Sequence, residues 1–351
     1  MRVIGIDPGT GSFDFFGMED GKTIIDITIP VPDIAQNPHI LLDTVKNLMP
    51  LDMIVGPSGY GLPPTPIKNL TERDLTSMVP DDKSIPLYDG IRMVLRLMQK
   101  EGFPVWFTPG VIHLPTVPVY RKANKLDMGT ADKVCCTALA IRSQSKSLDL
   151  DPTSTSFILV EVGFAFTSVI AVENGQIVDG LGGTSGGPGF ITMGNMDAEL
   201  AVRLGDFPGV VLFSGGANAL SGRADLTPEE MAEQPENYAD SWNTILESVL
   251  KSVGAMTIAV EEPRAILLSG RLTRIPKIAE ALEAKLSRFG KVGRVTRGAH
   301  TAKEAAEGSY IIGEGLMGGK YKGIVDAMKL RNASGTMYDY IYLKGAEVEK
   351  P

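Results

Sequence analysis

The sequence predicts an α/β protein of two similar halves that grip one charged ligand in the cleft between them. Three observations carry this. First, the opening run from Val3 to Gly21 recurs in mid-chain without a gap: Asp7 is matched by Glu161, Gly9 by Gly163, Glu19 by Glu173 and Gly21 by Gly175, each 154 residues on (161 − 7). Second, in each copy an apolar run ends in a carboxylate and a glycine, and a further β-rich run leads to Asp20-Gly21 or Asn174-Gly175, pairs that favour a hairpin turn. Third, helical patterns alternate with short apolar strands after each copy.

Taken in order, residues 1–30 read as strands and 41–48 as a short helix before the buried run 53–55. From 56 to about 120 glycine and proline abound, marking a loop-rich insertion around a helix at 88–100. A helical pattern covers 130–143, with Thr130 or Asp127 placed to cap its start. The second half opens with a strand at 157–162 and runs through the repeat to the glycine-rich loop 182–189. Helices are expected at 197–204 and 228–253, then a strand at 265–268 that ends in Ser269-Gly270-Arg271. A helix at 276–289, a strand near 292–295 and a long helical region at 302–330 follow. The organisation is a first domain over 1–150, a second over 151–330 whose last helix packs back toward the first, and a surface tail over 331–351.

With 351 residues and 43% apolar composition, the chain can bury a large core. Lysine and arginine number 34 against 42 aspartates and glutamates, a net charge of −8 that disfavours a nucleic-acid surface. Cys135 and Cys136 are adjacent and suit neither a structural disulfide nor a zinc site. They read as packing residues. No leader pattern opens the sequence and no stretch is apolar enough to span a bilayer, so no membrane partner and a cytoplasmic location are expected.

The chemistry is densest at Asp7-Pro8-Gly9-Thr10-Gly11-Ser12. A glycine bend lets backbone amides approach phosphate oxygens, and a carboxylate at the strand end can hold Mg²⁺. The plain alternative is a tight hairpin with a solvated aspartate. A dinucleotide fingerprint would need a helix after the turn, whereas Phe13, Phe15 and Phe16 before Asp20-Gly21 indicate a strand. Gly318-Gly319-Lys320 lacks the upstream glycine of a Walker loop and has Tyr321 where a hydroxyl is needed.

On these residues the chain resembles the acetate and sugar kinase, Hsp70 and actin superfamily. The superfamily's two phosphate motifs resemble 5–16 and 159–168, its adenosine motif 265–271, and its two connecting helices 130–143 and 305–319, in the expected order. The overall likeness is to an uncharacterised archaeal family carried under a predicted butyrate-kinase label. The resemblance implies a two-domain actin-like ATPase fold, ribonuclease H-like in each half, with an interdomain cleft for ATP and Mg²⁺. It assigns the metal to Asp7 and Glu161, phosphates to Gly9, Thr10, Gly11, Ser12, Gly163 and Thr167, and adenosine to Ser269, Gly270 and Arg271. Phe213-Ser214-Gly215-Gly216-Ala217, read as a strand followed by glycines, competes for the adenosine role. Asp132 resembles the catalytic aspartate in the Gly-Ala-Asp-Arg motif of type III pantothenate kinases, with Arg121 or Lys125 set to neutralise an anionic substrate. A helix start carrying ordinary acidic residues is the plain reading of that segment.

Two departures matter. Where relatives have Asp-x-Gly-Gly-Gly-Thr, this chain has Glu161-Val162-Gly163-Phe164-Ala165-Phe166, a bulkier bend. Met193 stands where the acetate-kinase pattern has its active-site arginine, so a carboxylate kinase would need its positive charge from elsewhere. The loop 182–189 reads as a lid over the acceptor or as a plain linker. The expected function is ATP- and Mg²⁺-dependent phosphoryl transfer to a small acceptor, for which the resemblance offers a short carboxylate such as butyrate. The rival is a nucleotide-binding regulatory or scaffold protein without phosphotransfer. A small-molecule acceptor is the expected partner, and a homodimer is an allowed assembly.

Overall fold

In the first half, Val3, Gly5 and Asp7 alternate with Ile4 and Ile6, so one strand presents two different faces. The computed structural model, which describes residues 1–37 and 39–344 (without the side chains of residues 86 and 87), places this strand at the centre of a sheet. β1 (Arg2–Pro8) pairs antiparallel with β2 (Ser12–Glu19), which pairs antiparallel with β3 (Lys22–Pro30). On its other side β1 runs parallel to β4 (Met53–Val55), and β4 to β5 (Val105–Trp106), giving the order β3-β2-β1-β4-β5. The second sheet repeats this plan as β8-β7-β6-β9-β10, from β6 (Phe157–Val162), β7 (Thr167–Glu173), β8 (Gln176–Leu181), β9 (Ile266–Ser269) and β10 (Val292–Arg294).

The repeat holds to the residue. Asp7 stands opposite Asp14 and Glu161 opposite Ser168; the register slips between Gly17 and Met18 and again between Ala171 and Val172. Gly9 N–H donates to Ser12 O, and Gly163 N–H to Phe166 O, both at 2.9 Å. Each hairpin turns through two left-handed residues, Asp20-Gly21 and Asn174-Gly175.

Helix Ala131–Leu148 packs on β6 and β7 of the second sheet, and helix Glu304–Leu316 on β1, β2 and β4 of the first. The two helices also pack on each other, where a Cβ on Gly308 would lie 1.9 Å from Cys135 O. Gly5 has the same use on β1, since a Cβ there would meet Ala306 O at 2.4 Å. The resulting central core takes Val3, Phe16, Leu159, Ile170, Cys135 and Ile311 from both halves, while separate cores lie behind each sheet. Both cysteines are buried, and Ser309 Oγ–H donates to Cys135 Sγ at 3.2 Å.

Several expected elements change. The 56–120 stretch carries helix Pro86–Lys100 and then β5, so it supplies one edge strand of the first sheet. The single helix expected at 228–253 is two, Pro228–Glu233 and Ala239–Met256, because Pro235 drives Gln234 out of helical geometry. Likewise 302–330 breaks after Leu316 at Gly318, whose φ is +84°, before helix Lys322–Ala327. Residues Gly209–Phe213 form a 3₁₀ turn and not a strand, which removes the competing adenosine segment's expected form. Thr130 occupies the N-cap position without capping through its side chain. In the 331–351 tail, Asn124 N–H donates to Tyr340 O, whereas residues 345–351 lie outside the described residues.

Candidate active site

The strand period that sends Val3 and Phe16 into the central core sends Asp7, Asp14 and Ser12 to the same face. Asp14 is fully buried and well partnered: Ser12 Oγ–H donates to it at 3.0 Å, Thr28 Oγ1–H at 2.5 Å and Lys303 N–H at 3.2 Å, and Lys303 Nζ lies 2.9 Å away. Asp7 has no such set. Burial first, with the nearby charges of Asp132 and Asp14, pushes its carboxyl up to about 7 against the pull of Lys303.

On the second sheet the same face carries Glu161, Ser168 and Ser269. The hydroxyls of Ser168 and Ser269 are buried without a hydrogen-bond partner. Thr167, expected to serve phosphate, stands opposite Val162 and therefore points to the other face; in a strand, one step reverses the side. Ser168 is the hydroxyl beside Glu161.

The connecting helices add the rest. Asp132, in the first turn of Ala131–Leu148, accepts from Thr130 Oγ1–H at 2.5 Å and from Lys133 Nζ at 2.6 Å. The same ammonium stands 2.7 Å from Glu161 Oε2, close enough to pair by charge but out of hydrogen-bond alignment. Burial would raise the Asp132 carboxyl, but the Lys133 charge and these two hydrogen bonds outweigh it and hold it low. At Glu161 burial wins over Lys133 and its carboxyl is raised. Lys303 precedes the other helix, and its ammonium would meet a Cβ on Gly9 at 2.6 Å, so it leans over the first bend. Burial disfavours its charge, yet Asp7 and Asp14 raise its affinity for the proton.

A cleft of about 820 Å³ opens between the halves, lined by Ser12, Asp14 and Lys303 on one side and by Arg271, Arg274 and Lys277 on the other. Thr10 and Gly11 are exposed at the first bend. Gly270 has φ +94°, and a Cβ there would lie 2.7 Å from Glu161 Oε1, so only glycine lets the chain turn past that carboxylate. Gly163 lies as close to its own bend, 3.0 Å from Phe166 O by the same measure. Arg271 stacks over Phe164 at 4.7 Å and lies 3.7 Å from Glu229. Arg121 is not gathered into this site: its NH1 donates to Val178 O at 2.8 Å and its Nε lies 3.6 Å from Asp179, on the edge strand β8. Loop 182–189 is bound down, with Thr184 N–H donating to Asp127 at 3.1 Å and Ser185 Oγ–H to Asp127 O at 2.5 Å.

Sequence reasoning passed over Asp14, Lys133 and Lys303. Asp14 had a legible signal, since it lies an even step from Phe16 on an alternating strand. The lysines had little, because Lys303 meets Asp14, and Lys133 meets Glu161, only across distant strands.

Two duplicated five-stranded sheets with crossed helices and a cleft between them define the two-domain actin-like ATPase fold. Solved structures that share it include an acetate kinase from Entamoeba histolytica (12% identical, covering 83% of this chain and 87% of that one, TM-score 0.63). A propionate kinase from Francisella tularensis is 14% identical over 88% of this chain and 98% of its own (TM-score 0.62). Lmo2764, a putative N-acetylmannosamine kinase from Listeria monocytogenes, is 16% identical over 93% and 99% (TM-score 0.52). The chain itself belongs to the family described as protein of unknown function (DUF1464), whose model matches residues 5–343. Among curated proteins none matches it. Among the described residues no helix is long and apolar enough to cross a membrane.

Proposed function

We propose that this protein is a small-molecule kinase that transfers the γ-phosphoryl group of ATP, with Mg²⁺, to an acceptor seated near Asp132. The observation that carries this reading is the meeting of both repeats' strand ends with both connecting-helix starts: among the described residues, Asp7, Asp14, Asp132 and Glu161 face two ammonium groups, Lys133 and Lys303. Such a surplus of carboxyls, three of them buried, fits a divalent cation, and Asp7, the least answered of the four, would hold it. Mg²⁺ is commonly held by one or two carboxylates together with substrate phosphates. When bound it supplies charge neutralisation at the transferring phosphoryl group.

The chain's own residues divide the remaining work. The open Gly9–Ser12 backbone and Lys303 meet phosphate oxygens, while Gly270 and Arg271 leave room for the nucleoside against β9. Glu161, paired with Lys133, forms the opposite wall and holds that lysine beside Asp132. Asp132, kept ionised, is the proton acceptor. The kinases among the structural neighbours support the class of activity at the level of a shared fold.

Mg·ATP at about 100 times its dissociation constant should stabilise the protein by roughly 2.7 kcal/mol. A melting curve with and without Mg·ATP tests binding, and transfer of a γ-phosphate label to a small-molecule pool tests catalysis. Binding without transfer would favour the regulatory reading. No melting shift would sink both.

A further inference from the structure

The charges around Asp132 bear on the acceptor's chemistry. The segment 121–133 is rich in cations, and each is committed. Arg121 is held by Val178 O and Asp179. Lys122 is buried, donating to Leu114 O at 2.8 Å and to Tyr340 Oη at 3.2 Å. Lys125 donates back to Arg121 O at 3.0 Å, and Lys133 is shared between Asp132 and Glu161. The cations that line the open cleft, Arg271, Arg274, Lys277 and Lys303, stand there with Ser12, Asp14 and Thr28.

What remains near Asp132 is acidic. Asp127 is buried five residues before it, and Glu161 shares Lys133 with it. A carboxylate entering here would be desolvated beside these groups with no uncommitted cation among the described residues of this segment. Burying an unpaired charge costs far more than burying a hydroxyl that finds an acceptor. Asp132 offers such an acceptor: each of its oxygens accepts one side-chain hydrogen bond, leaving room for a further donor. The unpartnered hydroxyls of Ser168 and Ser269 beside Glu161 are likewise suited to a neutral, hydrogen-bonding molecule.

We propose that the phosphoryl acceptor is a neutral hydroxyl compound and not a carboxylate, an inference that rests on the kinase reading above. The acceptor oxygen bonds to the γ-phosphorus, the bond from that phosphorus to the β,γ-bridging oxygen breaks with its electron pair leaving on ADP, and the hydroxyl proton passes to Asp132. The product is a phosphate ester.

The test uses the full-length protein, Mg·ATP labelled in the γ-phosphate, and a small-molecule cell extract supplemented with hexoses, polyols and short-chain carboxylates. Labelled product is then treated with neutral hydroxylamine, which cleaves acyl phosphates and leaves phosphate esters intact. The expected result is label that survives treatment, and a rate of its formation that falls about 10²–10⁴-fold in Asp132→Asn. The Mg·ATP melting shift of that variant should match the wild type, which separates loss of the proton acceptor from loss of fold. Label released as inorganic phosphate, with an unlabelled hydroxamate formed, would overturn the proposal, as would a wild-type rate in Asp132→Asn. If nucleotide binds and no small molecule becomes labelled, the kinase reading itself fails and this inference falls with it.

Discussion

The two strand ends share a backbone and differ in how their charges are answered. At the first, Asp7 and Asp14 sit side by side, and Lys303 reaches them over an open glycine bend. At the second, Ser168 takes the place of Asp14, Phe164 and Phe166 crowd the bend, and Lys133 already answers Glu161. Duplication keeps the ladder because backbone hydrogen bonds ignore side-chain identity. Charge is free to diverge. One end has become an acidic seat facing the cleft, and the other a neutralised wall that positions a lysine.

The largest effect expected from this comparison is at Lys133. Lys133→Met leaves Glu161 buried and unpaired beside the half-buried Asp132, and removing one partner of a buried ion pair costs about 3–5 kcal/mol. Chemical denaturation at neutral pH measures it. Lys303→Met, at the more open end, should cost clearly less stability and more nucleotide affinity; the reverse ranking would break the contrast.

Next comes Gly5, whose repeat partner is Leu159. Gly5→Val should destabilise by about 1–3 kcal/mol or more, since its side chain would drive into Ala306 and Ser309 of the Glu304–Leu316 helix. A melting temperature equal to the wild type would show that this helix can lift from β1 at no cost.

A pH series sharpens the acidic seat. The Asp7 carboxyl is raised from its ordinary 3.8 to about 7 in the fold, so the stability of its protonated form is full below about pH 4 and lost as pH rises through 7. Asp7→Asn should therefore melt above the wild type at pH 8 without nucleotide or metal, and the gap should narrow toward pH 5. The same variant should lose most of the Mg·ATP shift. A gap that is constant with pH would mean Asp7 is ionised without penalty.

The smallest stability effects separate the two bends. A Cβ on Gly11 meets nothing within 4 Å, so Gly11→Ala should change stability by less than about 0.5 kcal/mol while weakening Mg·ATP binding in calorimetry. Gly163→Ala, tight against Phe166 O, should do the opposite: a small stability loss with affinity retained. Equal affinity losses would make the second bend a phosphate site after all.

Much of the architecture was legible because it is local. The constant spacing of the repeat foretold two like sheets, down to the Asp-Gly and Asn-Gly turns, since a hairpin's geometry is written in the residues that form it. Proline and glycine told against it where they were overlooked: Pro235 and Gly318 split helices that apolar spacing alone had joined. Of the residues named from strand ends and a helix start, the structure brings Asp7, Glu161 and Asp132 together. Thr167 was misplaced by one step of a strand, a matter of face that Val162 opposite it resolves.

Residue order alone thus carries the duplicated strand plan, the glycine bends and the carboxylates at their ends, because these depend on neighbours a few positions apart. Which cation answers which carboxylate was left to the packing of the two connecting helices. Lys303 meets Asp14 across 289 positions, and Arg121 turns instead to β8, 57 positions away. Electrostatic partners are chosen by distance in space, and that distance exists only once helix Glu304–Leu316 lies on β1 and helix Ala131–Leu148 on β6.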